Sequence, residues 1–221
     1  MIITISGLDG AGKSTQIDHL TRKFSDDGFK VRYLWARGGY TPGFELIKKC
    51  LRSIFRKTLP PPGPSKLRNE KLKSPLIQRI WLIIAIADLI ILWGIYVRIL
   101  KAMKSVVICD RYLNDTLLDF RQNFPESNIE NSIIWKLLKL ISPNADHCFL
   151  FWIPVELSVK RSLEKGEPFP DSPEVLSWRL NSYMDESLFP SKTYFRIDGR
   201  FGREEISNIL YSKVNTNFQA G

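Results

Sequence analysis

The chain has 221 residues, 44% of them hydrophobic and 25% charged, a composition typical of a globular domain with a sizeable core. Its 32 Lys and Arg residues against 23 Asp and Glu residues give a net charge of +9, which should attract polyanions such as nucleotides, nucleic acid or an acidic membrane surface. Three cysteines without short paired spacing, Cys50, Cys109 and Cys148, argue against a zinc site and a disulfide framework.

The N-terminal third of this sequence begins with a βαβ pattern. Ile2 to Ser6 is short, apolar and β-branched, and no basic residue precedes Lys13, so we expect neither a secretory nor a transit peptide and place the protein in the cytoplasm. Ser14 to Phe24 has helical apolar spacing, and Lys30 to Trp35 predicts a second strand. A strand, a helix and a strand in this order predict a parallel sheet.

The remaining sequence continues the alternation of strands and helices. Near-continuous apolar runs predict buried strands at Ser105 to Cys109 and Cys148 to Ile153, and a fifth strand is predicted at Thr193 to Ile197. Helical patterns occupy 129–140, 173–184 and about a dozen residues from Arg203. We therefore predict an α/β fold with a five-stranded parallel sheet and helices on both faces.

The segment 44–104 departs from this alternation. Leu59 to Pro64 is too rich in proline for a helix or a central strand and predicts a loop. Trp81 to Val97 is 17 residues long with one charge, Asp88, just under the roughly 20 apolar residues that a membrane span needs. We interpret it as a buried helix, because a lone acid is costly in lipid and useful beside a polar pocket.

A phosphate-binding loop follows the first predicted strand. The sequence satisfies G-x-x-x-x-G-K-[ST] with the required strand before it and helix after it. Its glycines allow backbone N–H groups to surround a phosphate. Lys13 is expected to neutralise the β- and γ-oxygens, and the Ser14 hydroxyl to bind Mg²⁺. The predicted ATP and Mg²⁺ site comprises Gly7, Gly10, Ala11, Gly12, Lys13, Ser14 and Thr15, with Leu8 and Asp9 between the glycines.

A second polar motif, Asp110-Arg111-Tyr112, follows the strand Ser105 to Cys109. Ligands of open α/β sheets bind at this edge, where the strands end. Asp110 can hold a Mg²⁺-bound water, and Arg111 can form two parallel hydrogen bonds with a phosphate. The two motifs together predict a P-loop phosphotransferase with a small phosphate acceptor.

Together these residues resemble the thymidylate kinase family, within the nucleoside monophosphate kinases, over nearly the whole chain. The resemblance implies one three-layer α/β/α kinase domain over 1–221, with an enlarged acceptor-side segment at about 44–104 and a short lid at about 161–175. The segments that carry it are Ile3 to Gln16, Arg37 to Glu45, Asp110 to Tyr112, Pro154 to Arg161, Lys165 to Glu167 and Ile197 to Gly199.

The resemblance also implies roles for single residues. Lys13 contacts the transferred phosphate, Ser14 and Asp110 serve the metal, and Arg111 holds the phosphate of the acceptor. The residues assigned to the acceptor side are Asp9, Arg37, Gly38, Gly39, Asp88 and Arg111. A phosphate acceptor needs no general base, whereas a hydroxyl acceptor would make Asp9 or Asp110 the candidate base.

Three departures from the family pattern concern the acceptor and the lid. Where the family has F-x-A-[DN]-R around thymine, this chain has Ala85 to Leu89, which lacks the stacking ring and the arginine. Gly166 to Asp171 lacks the usual lid arginine, so Lys165 or Arg161 is expected to substitute. Arg37 brings positive charge where the family has an acid, which suits a more anionic acceptor.

Two alternatives to a nucleoside monophosphate kinase stay open. One is a kinase of the same fold with a non-nucleotide acceptor, such as a phosphorylated sugar or a lipid-linked molecule; the other is a nucleotide-binding switch with little turnover. We expect a homodimer and no specific nucleic acid partner. The basic run at 48–57 is interpreted as a solvated helix face, with peripheral membrane contact the less favoured reading.

Overall fold

The computed structural model describes residues 1–35, 74–166 and 170–215. Its described residues form two compact units, the first from 1–35, 100–115, 144–166 and 170–215, and the second from 74–99 and 116–143. The predicted acceptor loop at Arg37, Gly38 and Gly39, the proline-rich loop and the basic run at 48–57 lie outside the described residues. A single kinase domain over 1–221 stays a prediction.

The first unit contains the predicted five-stranded parallel sheet. Each strand lies within one residue of its predicted position. β1 and β3 are buried along their whole length, whereas β2 and β5 include exposed residues. All four strand pairs are parallel, in the order β2-β3-β1-β4-β5. The strands are β1 (Ile2–Gly7), β2 (Val31–Trp35), β3 (Val106–Asp110), β4 (His147–Trp152) and β5 (Tyr194–Asp198).

Helices alternate with these strands along the chain, and the α/β fold class is confirmed. The helix α1 begins at Lys13, immediately after the glycine loop, and buries Ile17, Leu20 and Phe24 as predicted. The helices are α1 (Lys13–Asp26), α2 (Pro75–Leu89), α3 (Val97–Ala102), α4 (Leu113–Asn123), α5 (Ile133–Ile141), α6 (Val155–Glu164), α7 (Pro173–Met184) and α8 (Arg203–Asn215).

The start of α5 corrects the sequence prediction. A helix from residue 129 was expected, but Ile129–Asn131 forms a 3-10 turn and α5 begins at Ile133. Asn128 has a left-handed backbone, with φ of 43°, and the Ser132 side chain accepts a hydrogen bond from the Trp135 N–H at 3.2 Å. An N-cap serine at this position starts a new helix, because its hydroxyl satisfies an otherwise unpaired N–H group.

In the second unit, α2 continues through a π-helical segment, Ile90–Tyr96, into α3. The whole helix Pro75–Ala102 has 28 residues and is long and apolar enough to cross a membrane, by length and composition alone, with 44% of its most apolar stretch buried. Burial is confirmed for one face only, which includes Leu82, Ile86 and Trp93. The opposite face exposes isoleucines to solvent.

Candidate active site

The glycine loop and the Asp110-Arg111 pair meet at one edge of the sheet in the first unit. β1 and β3 are adjacent parallel strands, with Ile5 in register with Asp110, so the residues that follow both strands leave the sheet at the same edge. The Arg111 N–H donates to the Ile5 carbonyl oxygen at 3.0 Å, which extends this pairing by one residue. The two motifs are therefore joined by backbone geometry at the edge of the sheet where ligands of α/β folds bind.

The glycine loop adopts a backbone that requires glycine at defined points. Gly10 and Gly12 have φ values of 75° and 92°, in the left-handed region. At Gly7 a Cβ atom would collide with the carbonyl oxygen of Phe151 on the neighbouring strand. The loop then leads directly into the N-terminus of α1 at Lys13, where unpaired N–H groups and the helix dipole favour an anion.

Lys13 lies folded onto its own loop and is only 7% exposed. Its Nζ donates to the carbonyl oxygens of Gly7 at 3.0 Å and Leu8 at 2.7 Å, and lies 3.6 Å from Asp9 Oδ1. Burial and then the nearby Arg111 lower the pKa of Lys13, while Asp9 opposes that shift. A phosphate bound in the loop would offer this buried ammonium a fully charged acceptor in place of two carbonyls.

Asp110 is buried and has one oxygen without a hydrogen bond. Its Oδ2 accepts from the Tyr33 hydroxyl at 3.2 Å, whereas Oδ1 has no partner among the described residues. Burial raises the pKa of Asp110, against the opposing influence of Lys13 and Arg111, and burial together with Asp110 raises the pKa of Tyr33 to about 12. An unsatisfied buried carboxylate oxygen beside a phosphate loop fits Mg²⁺, a cation that takes oxygen ligands.

The Arg111 guanidinium is held by groups on both sides. Its Nη2 donates to Asp9 Oδ1 at 2.7 Å, and its Nη1 donates to the Tyr183 hydroxyl on α7 at 3.2 Å. The backbone of Arg111 has a φ of 74°, which is uncommon for a residue with a side chain. Arg111 is 6% exposed, yet it lines the same cleft as the glycine loop.

The Asp115 carboxylate accepts hydrogen bonds from Tyr183, the partner of Arg111, and from two further groups. Its Oδ1 accepts from the Tyr183 hydroxyl at 2.9 Å, and its Oδ2 accepts from Ser6 Oγ at 2.6 Å and from the Tyr112 N–H at 3.0 Å. Sequence reasoning did not identify Tyr183, Asp115, Ser6 or Tyr33. The offset of Asp115 three residues after Tyr112 resembles a helix cap, which was the one local signal for it; nothing in the spacing of Tyr183 points to Arg111.

The two residues expected to substitute for the lid arginine, Lys165 and Arg161, have different surroundings in the structure. Lys165 lines the cleft together with Lys13 and Arg111. Arg161 instead donates through Nη1 to the Gly10 carbonyl oxygen at 2.9 Å and the Gly199 carbonyl oxygen at 3.1 Å. Lys165 is thus placed to meet a ligand, and Arg161 to hold the glycine loop against the loop after β5.

The predicted site residues of the described chain otherwise fall into three groups. Those in one cleft of the first unit are Asp9, Gly10, Gly12, Lys13, Ser14, Thr15, Asp110, Arg111 and Lys165, with Trp35 beside them. Gly7 and Ala11 belong to the same loop without lining the cleft. Asp88 lies in the second unit, where it is 5% exposed.

Comparison with known proteins gives similarity to three enzymes named thymidylate kinase, and no family model matches the chain. The enzyme of Bradyrhizobium sp. (strain ORS 278) is 22% identical over 223 residues, which cover 96% of this chain and 88% of that protein. The enzyme of Ehrlichia chaffeensis (strain ATCC CRL-10679 / Arkansas) is 27% identical over 175 residues, covering 77% and 75%. The enzyme of Chlorobium luteolum (strain DSM 273 / BCRC 81028 / 2530) is 25% identical over 233 residues, covering 99% of both chains.

These similarities extend over most of each protein, so they concern the whole fold and not the glycine loop alone. At 22 to 27% identity they support a thymidylate kinase-like relationship and phosphoryl transfer of the nucleotide kinase type, without specifying the acceptor.

Proposed function

We propose that this chain transfers the γ-phosphoryl group of ATP to a nucleoside monophosphate, with thymidine monophosphate as the first acceptor to test. The observation that carries the proposal is the cleft in which a phosphate loop, a buried acid with an unsatisfied oxygen and a buried arginine meet. Charge compensation and positioning are the main requirements of phosphoryl transfer, and this cleft contains groups for both.

Different residues of the cleft would bind the donor, the acceptor and the metal ion. Lys13 and the N–H groups of the glycine loop would hold the β- and γ-phosphates of the donor. Arg111 would hold the phosphate of the acceptor, which attacks as an anion and needs no base at neutral pH. Mg²⁺ would supply charge neutralisation during the transfer, and Ser14 and Asp110 are the residues that would hold it. Lys165 adds a positive charge near the transferred group.

The test is an ADP-release assay on the purified chain with Mg²⁺-ATP and a panel of acceptors. The panel contains the common nucleoside monophosphates, including dTMP and dUMP, together with sugar phosphates. Lys13→Ala serves as the blank, and Lys192→Ala, an exposed lysine away from the cleft, is the matched control for removing a lysine. Turnover with a nucleoside monophosphate that is abolished only by Lys13→Ala supports the proposal; no turnover with any of them contradicts it.

A second acceptor class is favoured by one observation in the second unit. Ala85 and Leu89, at the positions where the family resemblance leads us to expect an aromatic ring and an arginine, are both fully buried. Neither side chain can stack on a base or donate to its carbonyl groups. A non-nucleotide acceptor, such as a phosphorylated sugar or a lipid-linked phosphate, is therefore the alternative, and turnover confined to those members of the panel would select it.

Three further properties accompany this proposal. We expect a homodimer, a cytoplasmic location and no specific nucleic acid partner. Sedimentation velocity of the purified chain tests the first, and a salt titration of DNA binding tests the last, since non-specific binding falls steeply with salt. Tight ATP binding with no turnover in the whole panel would indicate a nucleotide-binding switch instead.

A further inference from the structure

Two helices of the second unit expose apolar side chains along one face each. On the helix Pro75–Ala102 the exposed residues Ile91, Ile95 and Ile99 recur at every fourth position, and on α5 the exposed apolar residues are spaced by four and three, so each set forms a stripe along its helix. Ile133 and Leu140 are 85% and 79% exposed, unusually open for aliphatic side chains. We call the following set the aliphatic surface: Ile91, Ile95, Ile99, Ile133, Leu137 and Leu140.

The two stripes border a single helix contact. A Cβ atom at Gly94 would lie 3.3 Å from the Ile141 side chain, so the absence of a side chain there allows α5 to approach closely. Arg98 Nε donates to the Ile141 carbonyl oxygen at 2.8 Å, which ties the end of α5 to the long helix. Ile95 follows Gly94 and Leu140 precedes Ile141, so exposed side chains of both helices lie next to this contact.

The exposed charges on these helices have one sign. The acidic residue on them, Asp88, is 5% exposed, and Lys101 at the end of the long helix pairs with Asp146 at 3.2 Å. The other charged residues are exposed and basic: Arg79, Arg98, Lys136 and Lys139. On α5 the two lysines lie to one side of the exposed Ile133, Leu137 and Leu140, and basic side chains beside an apolar stripe are typical of helices that lie in a membrane interface.

We propose that the aliphatic surface docks on an anionic lipid bilayer, independently of which acceptor the active site uses. A second copy of this chain fits the surface less well, because a two-fold contact would bring the lysines of α5 in both copies together. Anionic headgroups neutralise those lysines while the aliphatic side chains enter the interface. The nine residues of α5 span about 13 Å, far less than a bilayer core of about 30 Å, so the contact is with the membrane surface.

The test is flotation of the purified full-length chain with vesicles of phosphatidylglycerol and phosphatidylcholine, and with vesicles of phosphatidylcholine alone. The expected result is binding to the anionic vesicles that weakens as salt increases. Leu140→Glu should weaken binding about tenfold or more, since it replaces an inserted aliphatic group by a like charge. Lys136→Glu with Lys139→Glu should weaken it at least as much, because each basic residue contributes about fivefold.

Matched control variants in the first unit are Leu163→Glu and the double variant Lys30→Glu with Lys192→Glu, all at exposed positions. They change the same residue types and the same net charge, so they should bind vesicles like the parent chain. The proposal is overturned if the parent does not bind anionic vesicles, or if Leu140→Glu binds as well as its control. It is equally overturned if sedimentation without lipid shows a dimer that Leu140→Glu dissociates, which would make the surface a protein interface.

Discussion

Replacing Tyr183 by phenylalanine tests whether the buried network behind the active site sets the position of Arg111. The change removes one hydroxyl, which accepts from Arg111 Nη1 at 3.2 Å and donates to Asp115 Oδ1 at 2.9 Å. The ring itself is fully buried and packs edge to face on Phe189 at a centroid distance of 5.0 Å, and phenylalanine keeps this contact. The perturbation is therefore confined to two hydrogen bonds.

The expected loss of stability depends on the hydrogen bonds that Asp115 and Arg111 retain in the variant. Asp115 Oδ2 retains its bonds from Ser6 and Tyr112, and Arg111 retains Asp9, so neither charge is left wholly unpaired. A buried partner that loses its hydrogen bond costs about 1–3 kcal/mol, and we expect a loss of about 2 kcal/mol in the free energy of unfolding. For a chain of this size that corresponds to a decrease in Tm of about 4–8 °C.

The kinetic consequence should be specific to the acceptor. Arg111 loses the bond that orients its Nη1, so KM for the acceptor should rise about tenfold, with little change in KM for ATP. Initial-rate kinetics in both substrates, with thermal unfolding of the same preparations, measures the two effects. Tyr211→Phe is the matched control, since it removes a surface hydroxyl that donates to Asp27 at 2.6 Å. A Tyr183→Phe variant with parental stability and parental acceptor KM would refute the positioning role.

Three other substitutions separate the roles of neighbouring residues. Asp110→Asn should lose turnover yet raise Tm at pH 7, because burial raises the pKa of Asp110 and its ionised form costs stability; the gain should vanish toward about pH 4, where the unfolded aspartate also takes up a proton. Lys165→Ala should lower kcat about tenfold to a hundredfold with unchanged urea unfolding. Arg161→Ala should lower the free energy of unfolding by about 1–3 kcal/mol, because it frees the Gly10 and Gly199 carbonyls; an unchanged urea midpoint would contradict this.

The sheet and the phosphate loop could be predicted because their signals are local. β1 and β3 are short runs of buried, mostly apolar residues, and the glycine loop is a contiguous motif with a strand before it and a helix after it. Parallel pairing of β1 with β3 then brings Asp110 to the same edge as Gly7 without further information. Predictions of this kind need only the period of a pattern and the direction of the strands.

The second unit shows where periodicity stops being informative. Ile90–Tyr96 is apolar nearly throughout, so its sequence does not distinguish a π-helical from an α-helical backbone. The close approach at Gly94 depends on Ile141, which lies 47 positions later in the sequence. The prediction of a buried helix was accordingly right for the face with Trp93 and uninformative about the face with Ile95.

The residues around Arg111 explain why the acceptor side is harder to predict than the phosphate loop. Arg111 has a left-handed backbone, a conformation that costs energy for a residue with a side chain and persists only when its surroundings hold it. Here Asp9 and Tyr183 hold the guanidinium, and Tyr183 is 72 positions away in sequence. A loop that binds phosphate through backbone N–H groups can be read from contiguous glycines, whereas an arginine aimed by distant side chains is defined only by the folded network. A substitution at Tyr183 should therefore change acceptor binding while leaving the donor site intact.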